Sequence, residues 1–366
     1  MIILAIVLLG GSFGVSVIYT IVVRKSALRC GFVSKPAANR YHRSVVPLGG
    51  GVAIFAAILS ILLVVTASVR FLGAGGKLAW FGEAVTIHFP GFSDKIGQLA
   101  LVLLCTGVLF FVGLWDDKKH LGPFFKLFVQ FGVAMAAAGL ADIRVELFIE
   151  NRTVTTILSA FWIVLIINAF NFLDNMDGLS AGMAVITSSI LFTAAAASGQ
   201  VFVGGLAIVL VGVLLGFLVF NFPPASIFMG DAGSLVVGFL VALLTLRTTY
   251  YQQAESGRWH AVLMPLVVMA VPLYDFVSVT LLRISQGKSP FVGDTQHFSH
   301  RLKRRGLTDT QTVLTLYLAT FCTGLSAVFL GQVNRVGAVL IILQTLMILA
   351  IIAIFEATDK NDTTGD

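Results

Sequence analysis

The sequence predicts an all-α, polytopic integral membrane protein with about eleven transmembrane helices. Of its 366 residues, 57% are hydrophobic and only 11% are charged, whereas about a quarter of the residues of a soluble globular chain are charged. The apolar runs are about 20 residues long, which is enough for a helix to cross a hydrocarbon core about 30 Å thick. The sequence lacks the segments of about ten residues with alternating polarity that are typical of a membrane barrel.

The predicted spans follow the apolar runs in chain order. They cover residues 2–23, 48–70, 97–115, 126–141, 154–170, 181–198, 201–220, 233–249, 260–282, 313–331 and 336–355. The first of them carries no charged side chain and so lacks the basic start of a signal peptide, which predicts a retained span. We expect a single transmembrane catalytic domain over residues 1–356 and a short polar cytoplasmic tail over residues 357–366.

The distribution of basic residues predicts the orientation of the chain. If the N-terminus is outside, 16 of the 24 Lys and Arg residues fall on the opposite side of the membrane. Because Lys and Arg are enriched in cytoplasmic loops, we expect the N-terminus outside and the C-terminus in the cytoplasm. The three cysteines, Cys30, Cys105 and Cys322, have no paired spacing, so neither a disulfide framework nor a thiolate metal site is predicted.

Five short polar stretches interrupt the apolar pattern, and the predicted topology puts all of them on the cytoplasmic side. They are residues 40–51, 116–117, 168–177, 230–231 and 294–301. Their Asp, Asn, His and cationic side chains therefore predict one composite site at the membrane surface.

Asp116 and Asp117 end the third predicted span. Adjacent residues of a helix point about 100° apart, so the two carboxylates are expected to address different partners, such as a metal and a cationic side chain. The alternative interpretation is a solvated helix end balanced by Lys118 and Lys119.

A stripe of polar residues follows the fifth predicted span, with Asn168, Asn171, Asp174 and Asp177 recurring every three residues before Gly178. Amides both donate and accept hydrogen bonds and carboxylates accept them or coordinate metals, so the stripe suits a sugar, a base or a metal. A capped helix end with a polar turn is the alternative.

Asp231 lies in a Gly-Asp-x-Gly-Ser element just before the eighth predicted span. A carboxylate and backbone N–H groups at a helix N-terminus suit a metal-bound phosphate, and Mg²⁺ often uses one or two carboxylates besides substrate oxygens. A simple N-cap is the alternative role of Asp231.

The last cytoplasmic loop contains His297 and His300, with Asp294 before them and Arg301 after them. Zinc is one interpretation, but no further ligand pair completes a tetrahedral set. Recognition of phosphate by His and Arg fits the loop better.

Taken together, the motifs resemble those of the polyprenyl-phosphate N-acetylhexosamine-1-phosphate transferases of the glycosyltransferase 4 family. The resemblance runs from about residue 35 to residue 305 and rests on the ordered set NRYHRSVVPLGGG, GLWDDKKHLGP, NAFNFLDNMDGL, FMGDAGSL and SPFVGDTQHFSHRL. The last loop resembles the undecaprenyl-phosphate N-acetylglucosaminyl-1-phosphate transferase branch. That branch usually carries His-x-His-His, and this chain has Ser299 at the third position, so a related 2-acetamido sugar stays an alternative.

The resemblance implies transfer of a sugar 1-phosphate from a UDP-sugar to undecaprenyl phosphate with release of UMP. It implies Mg²⁺ as cofactor, with Mn²⁺ as a substitute, and catalytic roles for Asp116, Asp117 and Asp231, of which Asp231 binds the metal. Asp116 is expected to orient or deprotonate the lipid phosphate, or to act as a nucleophile, while Asp117 assists by holding Lys126. The other residues implied to bind substrate are Lys126, Asn168, Asn171, Asp174, Asp177, Asn221, Arg283, His297, His300, Arg301, His42 and Arg43.

Gly49, Gly50 and Gly51 follow His42 and Arg43 and are expected either to receive the lipid phosphate with them or to act as loop punctuation.

The expected location is the bacterial inner membrane, with the active site on the cytoplasmic face. The expected partners are both substrates, membrane lipids and a second copy in a homodimer, and no nucleic acid. The alternative functions are a phospho-N-acetylmuramoyl-pentapeptide transferase and a transporter without chemistry, whose polar residues should lie mid-span in both halves of the chain.

Overall fold

The computed structural model describes residues 2–34, 45–73, 83–145, 149–248, 259–289 and 297–357. Within these residues the chain is almost entirely helical, as the sequence predicted. The helices in chain order are α1 (Ile2–Arg29), α2 (Gly50–Ala67), α3 (Glu83–Thr86), α4 (Phe89–Lys119), α5 (Pro123–Gly139), α6 (Arg152–Leu173), α7 (Leu179–Ala197), α8 (Val201–Asn221), α9 (Asp231–Arg247), α10 (Met264–Val268), α11 (Ala270–Ser285), α12 (Phe298–Arg304), α13 (Asp309–Val328) and α14 (Arg335–Ala357). A π-helical turn (Ser68–Gly73) extends α2, and a 3₁₀ turn (Trp259–Leu263) precedes α10.

Among the described residues, eight helices are long and apolar enough to cross a membrane, and α10 and α11 together make a ninth candidate. Helices α5 and α9 are apolar but have only 17 residues each, which is the lower limit for a spanning helix. Each of the eleven predicted spans coincides with one of these helices or with the bent pair. The prediction of an all-α, multi-pass membrane protein is therefore confirmed.

The ninth predicted span, residues 260–282, is not one continuous helix. It bends by 63° between α10 and α11, with Met269 between the two segments. Pro272 explains the break, since a proline in a helix has no N–H to donate to the carbonyl four residues before it. The segment α11 consequently takes its own direction towards the polar loops.

A short antiparallel ribbon joins α1 to α2. Strand β1 (Val33–Ser34) pairs with strand β2 (Val46–Pro47), with Val33 opposite Pro47. The ribbon closes the base of the loop between them and brings the start of α2 close to Phe228, whose N–H donates to the carbonyl of Pro47 at 3.0 Å.

Helix α9 lies at the centre of the bundle, packed against α2, α4, α6, α7 and α8, and 14 of its residues are buried. Small residues allow this close packing: a Cβ atom added to Gly238 would meet the Cα atom of Ile167 at 2.8 Å. Helices within a bilayer commonly approach each other through such small residues. The first residue of this central helix is Asp231, so the core of the fold carries the candidate site.

Candidate active site

The polar groups converge on the side of the bundle where α4 and α6 end and where α5 and α9 begin, which we call the site face. Lys126, in the first turn of α5, is the central cation of this face. Its Nζ atom lies 2.9 Å from Oδ2 of Asp116 and 2.9 Å from Oδ2 of Asp231. Asp116 is buried and also accepts a hydrogen bond from the backbone N–H of Leu121. One ammonium group thus joins three helices and partly offsets two negative charges.

Asp117 has a different partner from Asp116, as the angle between adjacent helix positions predicted. Its two carboxylate oxygens accept the backbone N–H groups of Asp231 at 2.9 Å and of Ala232 at 3.1 Å. These N–H groups belong to the first turn of α9, and the N–H groups of a first turn have no acceptor within their own helix. The expectation that Asp117 holds Lys126 is therefore wrong, because its carboxylate caps α9 instead.

Asp231 is not an N-cap, because Gly230 takes that position with φ 69° and ψ 176°. The side chain of Asp231 instead points to Lys126 and to the amide of Asn171, whose Nδ2 donates to Oδ1 of Asp231 at 3.1 Å and to Oγ of Ser234 at 2.9 Å. The carboxylate is thus held on both sides by donors. Its remaining lone pairs can still accept ligands.

Glycines on two neighbouring helices fix the position of this turn. A Cβ atom added to Gly113 of α4 would lie 2.5 Å from the carbonyl oxygen of Asp231, and one added to Gly51 of α2 would lie 2.3 Å from the backbone nitrogen of Gly233. The N–H groups of Gly50 and Gly51 donate to the carbonyls of Phe228 and Met229, each at 2.9 Å. Since these N–H groups are already used, the alternative that the glycine run has a structural role is favoured for Gly50 and Gly51.

The predicted stripe of Asn and Asp residues divides at the end of α6. Asn171 lies within the helix and faces Asp231, whereas Asp174 is the residue that caps the helix. The carboxylate of Asp174 accepts a hydrogen bond from the backbone N–H of Gly230, and burial together with the nearby charges of Asp231 and Asp117 raises its pKa well above the usual range of Asp. Several carboxylates are therefore crowded at one point, where a cation would be favoured.

Three other predicted binding residues have mainly structural contacts. Asn168 donates to Oε1 of buried Gln130 at 2.6 Å, and Asp177 accepts the N–H of Ala225 at 2.8 Å. Asn221 accepts the N–H of Gly178 at 3.1 Å and donates to the carbonyl of Ile227 at 2.9 Å. Both polar groups of the Asn221 amide are thus used by backbone groups, so Asn221 joins two loops, and its expected role in substrate binding remains a prediction.

The last loop returns to the site face next to the end of α6. The ring of His297 packs edge-on against Phe172, with 5.4 Å between ring centroids, and the guanidinium of Arg283 lies 5.1 Å from the centroid of the same phenylalanine. The predicted proximity of this loop to the Asn and Asp stripe is thus confirmed for the described part of the loop.

Helix α12 presents the remaining residues of the loop. Burial is the largest cause that lowers the pKa of His300 to about 4; electrostatic interactions with His297, Arg304 and Lys303 act in the same direction, while Asp275 acts in the opposite direction. At neutral pH the imidazole of His300 is therefore uncharged. The guanidinium of Arg301 donates to Oγ of Ser278 at 3.0 Å.

Ser299 replaces a histidine of the resembled pattern, and its hydroxyl donates to Oδ1 of Asn175 at 2.6 Å. Ser299 is fully buried, so it connects α12 to the loop after α6 and does not face a ligand.

An apolar groove of about 300 Å³ lies between α5, α6 and α11. Its polar lining residues are Asn168 and Thr280, and the others are Leu127, Phe131, Phe161, Val164, Leu165, Phe172 and Phe276. Phe172 lines the groove and follows Asn171, the partner of Asp231. The groove and the polar cluster thus share helix α6.

The donor set at the site face consists of hard oxygen atoms, which suit Mg²⁺. Within the part of the chain that the structure describes, no three His, Cys, Asp or Glu side chains form a metal site by themselves. This composition fits a Mg²⁺ ion that takes one carboxylate from the protein and its other ligands from a phosphorylated substrate and water. The site face does not provide a tetrahedral zinc site, since His297 and His300 have no third ligand in the described residues.

Some expected residues lie outside the described residues. His42, Arg43 and Asp294 are among them, so their expected roles remain predictions.

Sequence reasoning missed Asp275, a fully buried carboxylate in α11 that contacts His297. A lone acid within an apolar span is a recognisable signal, because such residues are costly in a membrane and are usually functional. It also missed Tyr317, whose hydroxyl donates to the carbonyl of Gly178. No sequence signal distinguishes that tyrosine from a core aromatic.

The chain is similar to known bacterial proteins over most of its length. The sequence model described as glycosyl transferase family 4 matches residues 99–249. A Bacillus subtilis (strain 168) protein named probable undecaprenyl-phosphate N-acetylglucosaminyl 1-phosphate transferase is 29% identical over 344 residues, which cover 92% of this chain and 87% of that protein. The undecaprenyl-phosphate alpha-N-acetylglucosaminyl 1-phosphate transferases of Yersinia pestis and Escherichia coli (strain K12) are each 27% identical, covering 92% and 81% of this chain and 85% and 76% of their own lengths.

Proposed function

We infer that this chain, whose residues 99–249 match the model of glycosyl transferase family 4, transfers N-acetylglucosamine 1-phosphate from UDP-N-acetylglucosamine to undecaprenyl phosphate and releases UMP. One observation carries the inference: a cluster of carboxylates and one lysine lies beside an apolar groove. Lys126 contacts both Asp116 and Asp231, and Asp231 is joined by Asn171 to the helix that lines the groove. Such an arrangement can bind both a phosphorylated lipid and a charged nucleotide. The transfer would begin the synthesis of a cell-envelope glycan.

In this reaction an oxygen of the lipid phosphate attacks the β-phosphorus of the UDP-sugar. A new P–O bond forms to the lipid phosphate, the bond from the β-phosphorus to the bridging oxygen breaks, and UMP leaves with the electron pair. The second pKa of a phosphate monoester is about 6, so the acceptor is mostly dianionic at neutral pH. The protein therefore has to position the acceptor and offset charge, and deprotonation is a minor need.

Asp116 is best suited to orient the acceptor. One of its oxygens accepts from Lys126 and the other from the N–H of Leu121, which leaves it a weak nucleophile and a weak base. Lys126 would move its positive charge from the two carboxylates towards the phosphates as they bind. Phosphoryl transfer depends largely on such positioned charges.

Mg²⁺ would be held by Asp231, where it offsets the charge of the diphosphate. The fit rests on the oxygen donors at this point and on the crowded carboxylates of Asp117, Asp174 and Asp231, which favour a cation. Asn171 would keep the Asp231 carboxylate in place, and Asp117 would fix the turn that carries it. Mn²⁺ would substitute, because it accepts the same oxygen ligands.

The apolar groove would receive the first part of the prenyl chain. It is lined by four phenylalanines and by aliphatic side chains, and its lining includes Asn168 and Phe172 near the end of α6. The acceptor could thus keep its hydrocarbon in apolar surroundings while its phosphate reaches Lys126. The site face would lie at the cytoplasmic surface of the inner membrane, as the excess of Lys and Arg on that side indicates.

The test uses purified full-length protein in detergent with undecaprenyl phosphate, UDP-N-acetylglucosamine and Mg²⁺. UMP should form only when both substrates are present, and chelation of the metal should stop it. The Asp231→Asn variant should lose the activity, whereas Asp142→Asn should keep it. Asp142 is a matched control, because it is half-exposed and paired with Arg144, away from the site face.

Two outcomes would count against the proposal. If only another UDP-2-acetamido sugar supports UMP release, the sugar assignment is wrong and the reaction class is right. If no UDP-amino sugar supports it with folded protein, the enzyme assignment is wrong.

A further inference from the structure

Asp275 is a fully buried carboxylate in α11, and both of its oxygens are used. Oδ1 accepts the backbone N–H of Phe298 at 3.1 Å, and Oδ2 lies 3.0 Å from Nδ1 of His297. Burial of a charged group without partners is strongly unfavourable. The two contacts explain how the carboxylate is accommodated, and they attach the start of α12 to α11.

The contacts of His297 identify its protonation state. Its Nε2 atom lies 3.4 Å from Nη2 of Arg283, and a guanidinium group has donors only. Nε2 must therefore accept the hydrogen bond, so the ring proton is on Nδ1 and is donated to Asp275. His297 is then neutral, and both of its ring nitrogens are occupied within the protein.

This chain of contacts ends at Arg283. Its guanidinium lies over the ring of Phe172 and its side chain is only 2% exposed. Phe172 follows Asn171, which binds Asp231. The cation is therefore held against the same stretch of α6 that reaches the proposed metal ligand. A planar guanidinium is well suited to phosphate oxygens.

We propose that Asp275 is a positioning residue that fixes the Nδ1–H form of His297, so that His297 holds Arg283 beside the diphosphate of the sugar nucleotide. The identity of the ligand rests on the function proposed above, whereas the Asp275–His297–Arg283 relay rests on geometry alone. His297 acts in this relay through Arg283 and does not itself contact the substrate, unlike the expectation from the sequence.

The Asp275→Asn variant tests the relay sharply. The N–H of Phe298 can only donate, so the Asn carbonyl should accept it and the Asn NH₂ should face Nδ1 of His297. His297 would then have to carry its proton on Nε2, and two donors would face each other at Arg283. The matched control is Asp309→Asn, which removes the carboxylate that pairs with Lys303 near α12 without touching His297.

Two readouts separate positioning from simple loss of structure. In protein with ¹⁵N-labelled histidine, NMR should find the His297 proton on Nδ1 in the wild type and on Nε2 in Asp275→Asn. The KM for the UDP-sugar should rise about 10- to 100-fold, the range expected when a hydrogen bond to a charged group is lost. The KM for undecaprenyl phosphate should stay within about twofold, and Asp309→Asn should match the wild type.

Variants at position 297 keep the test valid if Asp275→Asn does not fold. A Gln side chain can donate to Asp275 and accept from Arg283 as the neutral imidazole does, so His297→Gln should keep the KM for the UDP-sugar within a few-fold. His297→Leu should raise it as much as Asp275→Asn. Equal effects of Gln and Leu, or a wild-type proton on Nε2, would overturn the proposal. Absence of UMP release by the wild type would refute the proposed function only, and the NMR result would still decide the relay.

Discussion

The Nζ atom of Lys126 lies 2.9 Å from Oδ2 of Asp231, although the two residues are 105 positions apart in the chain. Helices α5 and α9 are each short for a spanning helix, and they present these two side chains to each other in their first turns. The pair combines the cation Lys126 with the proposed metal ligand. It is therefore the point at which the charges of both substrates would have to be balanced.

Replacing Lys126 by Gln should lower kcat by about 100-fold or more. This is the scale expected when an enzyme loses one positioned donor that stabilises negative charge in the transition state. The reason is that the carboxylates of Asp116 and Asp231 would then repel each other and the incoming phosphates. Initial rates of UMP release at saturating substrate would measure the effect. Lys119→Gln, an exposed lysine at the end of α4, is the control and should retain the wild-type rate. A Lys126→Gln enzyme with normal kcat would remove Lys126 from the mechanism.

Substituting Gly113 by Ala should displace the first turn of α9 and reduce both thermal stability and activity. The new Cβ atom would lie 2.5 Å from the carbonyl oxygen of Asp231 and 2.6 Å from the nitrogen of Ala232, and these backbone atoms would have to move. Gly132→Ala is the matched control, because a Cβ atom at this helical position would meet no heavy atom within 4 Å beyond the local backbone of its own helix. That change should be neutral or slightly stabilising, as expected for Ala in a helix. Equal unfolding temperatures for the two variants would show that the Gly113 contact is not tight.

Asn221→Ala should cost about 2 kcal/mol of stability, since two hydrogen bonds of about 1 kcal/mol each are lost. Both partners are backbone groups, the N–H of Gly178 and the carbonyl of Ile227. The change should appear as a lower thermal midpoint in detergent, with little change in the KM for either substrate measured below that temperature. A normal midpoint combined with a raised KM would instead mean that Asn221 binds substrate, as the family resemblance implied.

The depressed pKa of His300 predicts an acid-sensitive contribution to stability. The folded-state pKa is about 4, below the usual 6.5 of histidine, so the folded state favours the neutral ring. As the pH falls below 6.5, the unfolded chain binds a proton that the folded chain does not. The free energy of unfolding therefore decreases, by about 3 kcal/mol once the pH reaches about 4. His297, Lys303, Arg304 and Asp275 are the charged or titratable groups that act on this ring.

In His300→Gln the fall in the unfolding midpoint between pH 7 and pH 4.5 should be smaller than in the wild type. A parallel fall in both proteins would contradict the assignment of the acid sensitivity to His300.

The sequence was sufficient to predict the helical membrane fold and the convergence of the polar groups on one side of the bundle, because both depend on long apolar runs and on motif order. It was also sufficient to separate Asp116 from Asp117, since helix geometry alone sends adjacent side chains to different partners. The partners themselves depend on packing between helices that are distant in the chain. For this reason the cap that Asp117 makes on α9, and the contact of Lys126 with Asp231, could not be read from spacing.

The evenly spaced stripe from Asn168 to Asp177 suggested four equivalent binding residues, and the structure gives them different tasks. The helix ends after Leu173, so the stripe is only partly helical. Side chains that are evenly spaced in the sequence therefore point in different directions. Asn171 and Asp174 turn to the start of α9, whereas Asp177 turns to the loop at Ala225. The Gly49–Gly51 run was similarly ambiguous, because glycines serve close helix packing and phosphate binding alike.

In the proposed reaction the sugar moves together with the β-phosphate of the nucleotide. UDP-N-acetylglucosamine carrying ³²P in the β-phosphate can be incubated with the protein, undecaprenyl phosphate and Mg²⁺, and the lipid then extracted and counted. The label should enter the lipid fraction in step with UMP release, and Asp231→Asn should transfer none. Sugar in the lipid fraction while the label stays with UDP would show transfer of the sugar alone and would rule out transfer of the sugar 1-phosphate.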